Sequence, residues 1–201
     1  MTLLCIKSHY GGRSPLFKEA EKRSDGLVVQ QTELTAQHLQ NATGLITTMH
    51  LDQLGMQAFS DQLEGFLNRG GRWFYNGHMM KPLVAGLGIY QHVGEAGKSA
   101  LDLIELADHP IFTGVDRIGL RARKGVAGFY GRGANPLPDG ATPITGVGAK
   151  QAPLDWQWQR PAGGCIFSHA GNDLQSTALS KEDSLKLSQN IIAWVMQEDI
   201  K

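Results

Sequence analysis

Short, uninterrupted apolar runs, each ending in glycine or a polar turn, restrict this chain more than any other feature. Leu3 to Ile6 and Trp73 to Tyr75 show no apolar/polar alternation, so they read as strands buried on both faces. Leu27 to Gln31 and Gly44 to Met49 read as two more strands. Between the runs lie helical stretches: Pro15 to Arg23, about Thr32 to Gln40, and Gly55 to Asn68. The last carries Met56, Phe59, Leu63, Phe66 and Leu67 as one buried stripe, and Arg69-Gly70-Gly71 stops it. Strands and helices that alternate through short links imply right-handed crossovers and a parallel sheet covered on both faces.

The second half is less regular. Glycine is abundant, 25 in 201 residues, and many glycines sit where an apolar run must turn. Strands are expected at Ile118 to Arg121, Val126 to Tyr130, Thr142 to Gly146 and Cys165 to Phe167, some of them irregular or antiparallel. Trp156 and Trp158, two apart, would face the same way on a strand and read best as an edge-strand packing pair. The segment from Lys81 to Ala100 is open between an ordered lid and a plain connection. A final helix, Lys181 to Gln197, begins at Ser180 with Asp183 three residues on, a capping-box pattern. Its stripe is Leu187, Ile191, Trp194 and Val195. The expectation is one α/β domain over 1–201, built on a mainly parallel central sheet.

Charge removes some function classes. Lys and Arg number 19 against 19 Asp and Glu, and the densest basic stretch holds only Arg117, Arg121, Arg123 and Lys124. That is a poor footprint for nucleic acid, so no nucleic-acid partner is expected. No apolar window reaches membrane-spanning length, and the first residues lack the pattern of a signal peptide, so no membrane association is expected. Cys5 and Cys165 lie in apolar runs and read as buried free thiols of a cytoplasmic protein. No cofactor is expected, and a homo-oligomer stays open.

Parallel α/β sheets place ligands outside the carboxyl ends of their strands. His9, His50, His78 and His169, out of 7 histidines, each follow an expected strand. Imidazole suits proton transfer near neutral pH, so these side chains are expected to meet at one mouth. His78 and His169 are the candidate acid and base. Asn172 and Asp173 can orient His169, although Ser168 should point to the opposite face from it. Asn76 and Gly77 form a tight turn whose backbone N–H groups can face a ligand. Arg132, in the Gly-rich stretch 125–136, can take a carboxylate or phosphate. His9 and His50 complete the candidate binding set. No HxH or HExxH spacing supports a metal, so none is expected.

The helix followed by Gly70-Gly71, the strand Arg72 to Tyr75 and the turn Asn76-Gly77-His78 resemble the elbow region of class I glutamine amidotransferase-like proteins. Gly163-Gly164-Cys165-Ile166-Phe167-Ser168-His169 is similar to their strand ending in the catalytic His. His109 to Val115 resembles a segment of the trehalose-utilisation (ThuA-like) branch. The resemblance implies a flavodoxin-like three-layer sandwich. It does not carry glutaminase activity: the elbow has no Cys, and His169 is followed by Ala170 and Gly171 instead of Pro and Glu. Two functions remain. One is a small-molecule enzyme, a hydrolase or isomerase working by His chemistry on a sugar derivative. The other is a non-catalytic binding or scaffold protein that retains the fold. A metal-dependent hydrolase is a weaker third.

Overall fold

The structure is a computed structural model that describes residues 2–8, 14–94, 101–117, 119–120, 126 and 128–200. An 8-stranded sheet runs in the order β2-β1-β3-β4-β10-β9-β8-β6. Its strands are β1 (Leu3–Lys7), β2 (Gly26–Gln30), β3 (Gly44–Thr47), β4 (Arg72–Asn76), β6 (Leu103–Glu105), β8 (Thr142–Val147), β9 (Ala152–Gln159) and β10 (Cys165–His169). A separate two-stranded ribbon pairs β5 (Gln91–His92) with β7 (Gly133–Ala134). The strands β2, β1, β3, β4 and β10 pair in parallel, while β9, β8 and β6 add antiparallel. The fold is the expected α/β sandwich with a mixed second half.

Strand alternation divides the core. Leu3, Cys5, Phe74 and Phe167 face α1 (Pro15–Glu21), α5 (Leu174–Thr177) and α6 (Lys181–Met196), where they meet Leu16, Phe17, Leu174, Leu187, Ile191 and Val195. Leu4, Ile6, Leu45, Trp73 and Ile166 face the other way, towards α2 (Ala36–Asn41), α3 (Gln53–Gln57) and α4 (Ser60–Asn68). Each large side chain buried in this way contributes roughly 1.5–3 kcal/mol. Ser14 caps α1 by accepting from Leu16 N at 3.2 Å, and Pro15 fits the first turn, where no N–H is needed. Ser180 caps α6, accepting from Asp183 N at 2.9 Å.

Four expectations need correction. The helix expected over Gly55 to Asn68 is two helices, α3 and α4, broken at Ala58 and Phe59. Phe59 leaves helical geometry at φ −110°, ψ 13°, yet still packs on the core, so the apolar stripe runs through the break unaltered. The described part of Val126 to Tyr130 is turn and bend, not strand. Ile118 and Arg121 lie outside the described residues, and Gly119 and Leu120 between them form a helical turn, not a strand. The two tryptophans lie on β9, which is interior: β8 pairs on one side and β10 on the other. Trp156 and Trp158 therefore fill the core beside α4, donating to Asn135 O at 2.9 Å and Asp139 O at 3.1 Å.

Candidate functional site

The carboxyl ends of β4 and β10 lie side by side, with His169 in register with Asn76. Asn76 is fully buried and joins elements: its Nδ2 donates to Thr47 O at 3.2 Å and its Oδ1 accepts from Leu174 N at 3.0 Å. Gly77 follows at φ +107°, where a Cβ would come within 2.8 Å of Met49 Cα, so only glycine fits the turn. Its N–H donates to His169 O at 2.9 Å and so already has a partner within the chain. His78 is exposed and stacks on Tyr90, with centroids 3.8 Å apart. Desolvation by this packing, then the nearby His169 and His92, hold its pKa below the usual histidine value.

His169 is fully buried. Its Nδ1 lies 2.6 Å from Asp155 Oδ1, and Tyr130 Oη donates to Asp155 Oδ2 at 2.6 Å. The Tyr130 and His169 rings meet edge to face at 4.8 Å. Burial, then the Asp155 charge and its hydrogen bond, push the Tyr130 pKa far up, so the phenol stays a donor. An N–H at Nδ1 donates to this carboxylate, and in the neutral ring that tautomer presents Nε2 as an acceptor. Nε2 is buried and has no hydrogen-bond partner among the described residues. It lies against Gly171, where a Cβ would come within 2.7 Å of it.

Gly171 also lines a cleft of about 250 Å³, together with His78, Gly131, Arg132 and Asn172. Asn172 Nδ2 donates to Phe129 O at 2.6 Å, which fixes the loop edge. Tyr90 Oη, also buried and without a hydrogen-bond partner among the described residues, lies beside Gly133, next in the chain to Arg132. The segment that carries Tyr90 is tied down at several points: Met80 and Lys81 N donate to Gln53 Oε1, Ala85 N to Glu64 Oε1, Tyr90 N to Met79 O and Val93 N to Arg132 O.

Of the expected histidines, His50, His78 and His169 share one end of the sheet but do not share one cavity. His78 lines this cleft, His169 lies against Gly171 of its wall without lining it, and His50 lines a second cavity over β1 and β3. His9 lies outside the described residues. Asp173 links the groups: its Oδ1 accepts from Met49 N at 2.7 Å. Burial raises its pKa, against the Met49 bond and the nearby His50 and His169. Ser168 takes a different partner from His169, accepting from Asn135 Nδ2 at 2.8 Å. Among the described residues, no group of three or more His, Cys, Asp or Glu is placed to hold a metal ion.

Sequence reasoning missed Asp155, Tyr130, Tyr90 and Asn135. Asn135 joins three segments, accepting from Met79 N at 2.8 Å and donating to Gly77 O at 3.0 Å and to Ser168. Asp155 left one usable signal, a single acid between Leu154 and Trp156 in a strand-like run. A charge in such a run is rarely buried without a partner.

No family model matches this chain, and no curated protein does. Among solved structures the chain is similar to the mmIFT52 N-terminal domain, with a TM-score of 0.58 and 14% sequence identity over 100% of both chains. At that identity the likeness extends to the α/β fold alone.

Proposed function

We propose that this chain binds a small anionic sugar derivative in the cleft between the β4 turn and the loop after β10. In this reading it keeps an amidotransferase-like architecture, with the ThuA-like segment, but not thiol chemistry. The observation that carries the reading is the buried Nε2 of His169, which has no hydrogen-bond partner among the described residues and lies against Gly171, a residue of the cleft wall. A buried acceptor without a donor costs about 1–3 kcal/mol, and a fold retains such a cost most readily where a ligand or a reaction uses the group. Arg132 supplies a charge for a carboxylate or phosphate, and Asn172 and His78 supply hydrogen bonds to hydroxyls. In this reading Asp155 holds the Nδ1 proton of His169, which then serves as general base with His78 as its acid partner.

Thiolate chemistry has no support. Cys5 and Cys165 are free and buried, and burial raises their pKa values to about 12 and about 11. Two unoxidised thiols support a cytoplasmic location. Among the described residues no helix is long and apolar enough to cross a membrane.

Full burial of His169 favours a second reading, binding without turnover. Calorimetric titration with gluconate and glucose 6-phosphate separates the readings when product formation is followed in parallel. One of the two probes should bind saturably, and Arg132→Ala should weaken it at least about tenfold. Turnover that His169→Gln abolishes supports the enzyme, and binding with no product supports the binder. No saturable binding, or equal binding by Arg132→Ala, overturns the site.

A further inference from the structure

A second crevice lies on the same rim, one pair of strands away. In the order β2-β1-β3-β4 the chain first steps outward from β1 to β2, then crosses back to β3. Open α/β sheets bind ligands outside the strand ends at such a reversal, because the two flanking connections diverge to opposite faces. Here the gap is a cavity of about 520 Å³ lined by Ser8, Gln31, Thr32, His50, Asp52 and Phe59. Ser8 is only 6% exposed, and its Oγ has no hydrogen-bond partner among the described residues. A hydroxyl shut away from water at a cavity wall with nothing to bond is a group waiting for a ligand or a bound water.

The walls are rigid and their chemistry is selective. Gln31 clamps the Asp52 backbone, its Nε2 donating to Asp52 O at 2.6 Å and its Oε1 accepting from Asp52 N at 2.9 Å. Asp52 Oδ1 caps α3, accepting from Leu54 N and Gly55 N at 3.1 Å each. This leaves Asp52 Oδ2, the His50 imidazole and Ser8 Oγ to meet a ligand, with half-buried Phe59 as a flat apolar wall. No Lys or Arg is among the described lining residues, and the Asp52 charge repels anions. A carboxylate and a hydroxyl facing an aromatic ring suit a ring that is apolar on its face and rich in hydroxyls at its edge.

We infer that the crevice between β1 and β3 binds a neutral hydroxylated ring, a sugar or a nucleoside, independently of the cleft at β4 and β10. Backbone-amide NMR on the full chain, titrated with methyl β-glucoside, adenosine or inorganic phosphate, tests this. One of the neutral rings should give saturable shifts at Ser8, His50 and Gly55, and which one does so tells a sugar from a nucleoside site. Phosphate should give none there. Ser8→Ala and Asp52→Asn should each weaken binding about tenfold, while Arg132→Ala leaves it unchanged. Asp52→Asn keeps an acceptor for the α3 cap, so it remains informative if Ser8→Ala fails to fold. The inference is overturned if neither ring saturates these amides at millimolar concentration, if phosphate does so instead, or if both variants bind like the parent chain.

Discussion

Asp155 shows how one residue's environment dictates a cluster. Fully buried between β8 and β10, its carboxylate accepts from two donors among the described residues, Tyr130 Oη and His169 Nδ1. A charge held in this way is much costlier with one partner removed than with both in place. His169→Ala is expected to destabilise the fold by about 3–5 kcal/mol, as for other broken buried pairs. Tyr130→Phe should cost about 1.5–3 kcal/mol, the range for a hydrogen bond to a charged group. Because both donors serve one carboxylate, the double variant should depart clearly from the sum of the singles. Urea denaturation of the four proteins measures this, and simple additivity would show that the two bonds act independently. The sequence marked His169 by its place after a strand. It could not mark Tyr130: the run Val126 to Tyr130 reads as a strand, whereas in the structure Tyr130 lies on an irregular loop.

At the scale of elements, caps and breaks decided more than propensity. Ser180 and Asp183 were legible as the start of α6, because a capping pattern is local and the stripe behind it is regular. The break between α3 and α4 was not, since Phe59 stays in the apolar stripe while leaving the helix. An unusual cap opens the short turn Pro110–Phe112: His109 Nδ1 accepts from Ile111 N at 3.3 Å, and its Nε2 meets Gln157 Oε1 at 2.8 Å. Both bonds fit the neutral ring with its proton on Nε2, and protonating Nδ1 removes the cap acceptor. Burial foremost lowers the His109 pKa, against the bond to Gln157. The unfolded chain then takes up this proton first, so the stability from His109 is complete above its unfolded value of about 6.5 and is lost as pH falls below it. Unfolding free energy followed from neutral to mildly acidic pH should drop. His109→Asn, a cap that does not titrate, should flatten the drop even though it lowers stability throughout. An unchanged slope would remove His109 from the acid response.

Across the whole molecule, two construction rules meet at β10. The parallel half, β2-β1-β3-β4-β10, is covered by helices on both faces, whereas β9, β8 and β6 continue it by antiparallel pairing out to an exposed edge. Opening free energy should follow this gradient. Native-state hydrogen exchange is expected to be slowest at Ile46, Phe74 and Phe167, buried in interior strands, and fast in β6 and the two-residue pairing of β5 with β7. Equal protection in β6 and β4 would show that the two halves open as one unit.

The amino-acid sequence alone determined the parallel half, the placement of its helices and the strand ends that carry His50, His78 and His169. Those follow from local periodicity and from glycine at the turns, and both can be read within a dozen residues. Tertiary structure decided what those ends do. Pairing β9 against β10 in one register sets Asp155 opposite His169, and a slip of one residue would turn that carboxylate to the other face. The same pairing buries the tryptophans inside the sheet and brings Asn135 between three segments. Such contacts depend on which strands become neighbours, and no local pattern records that.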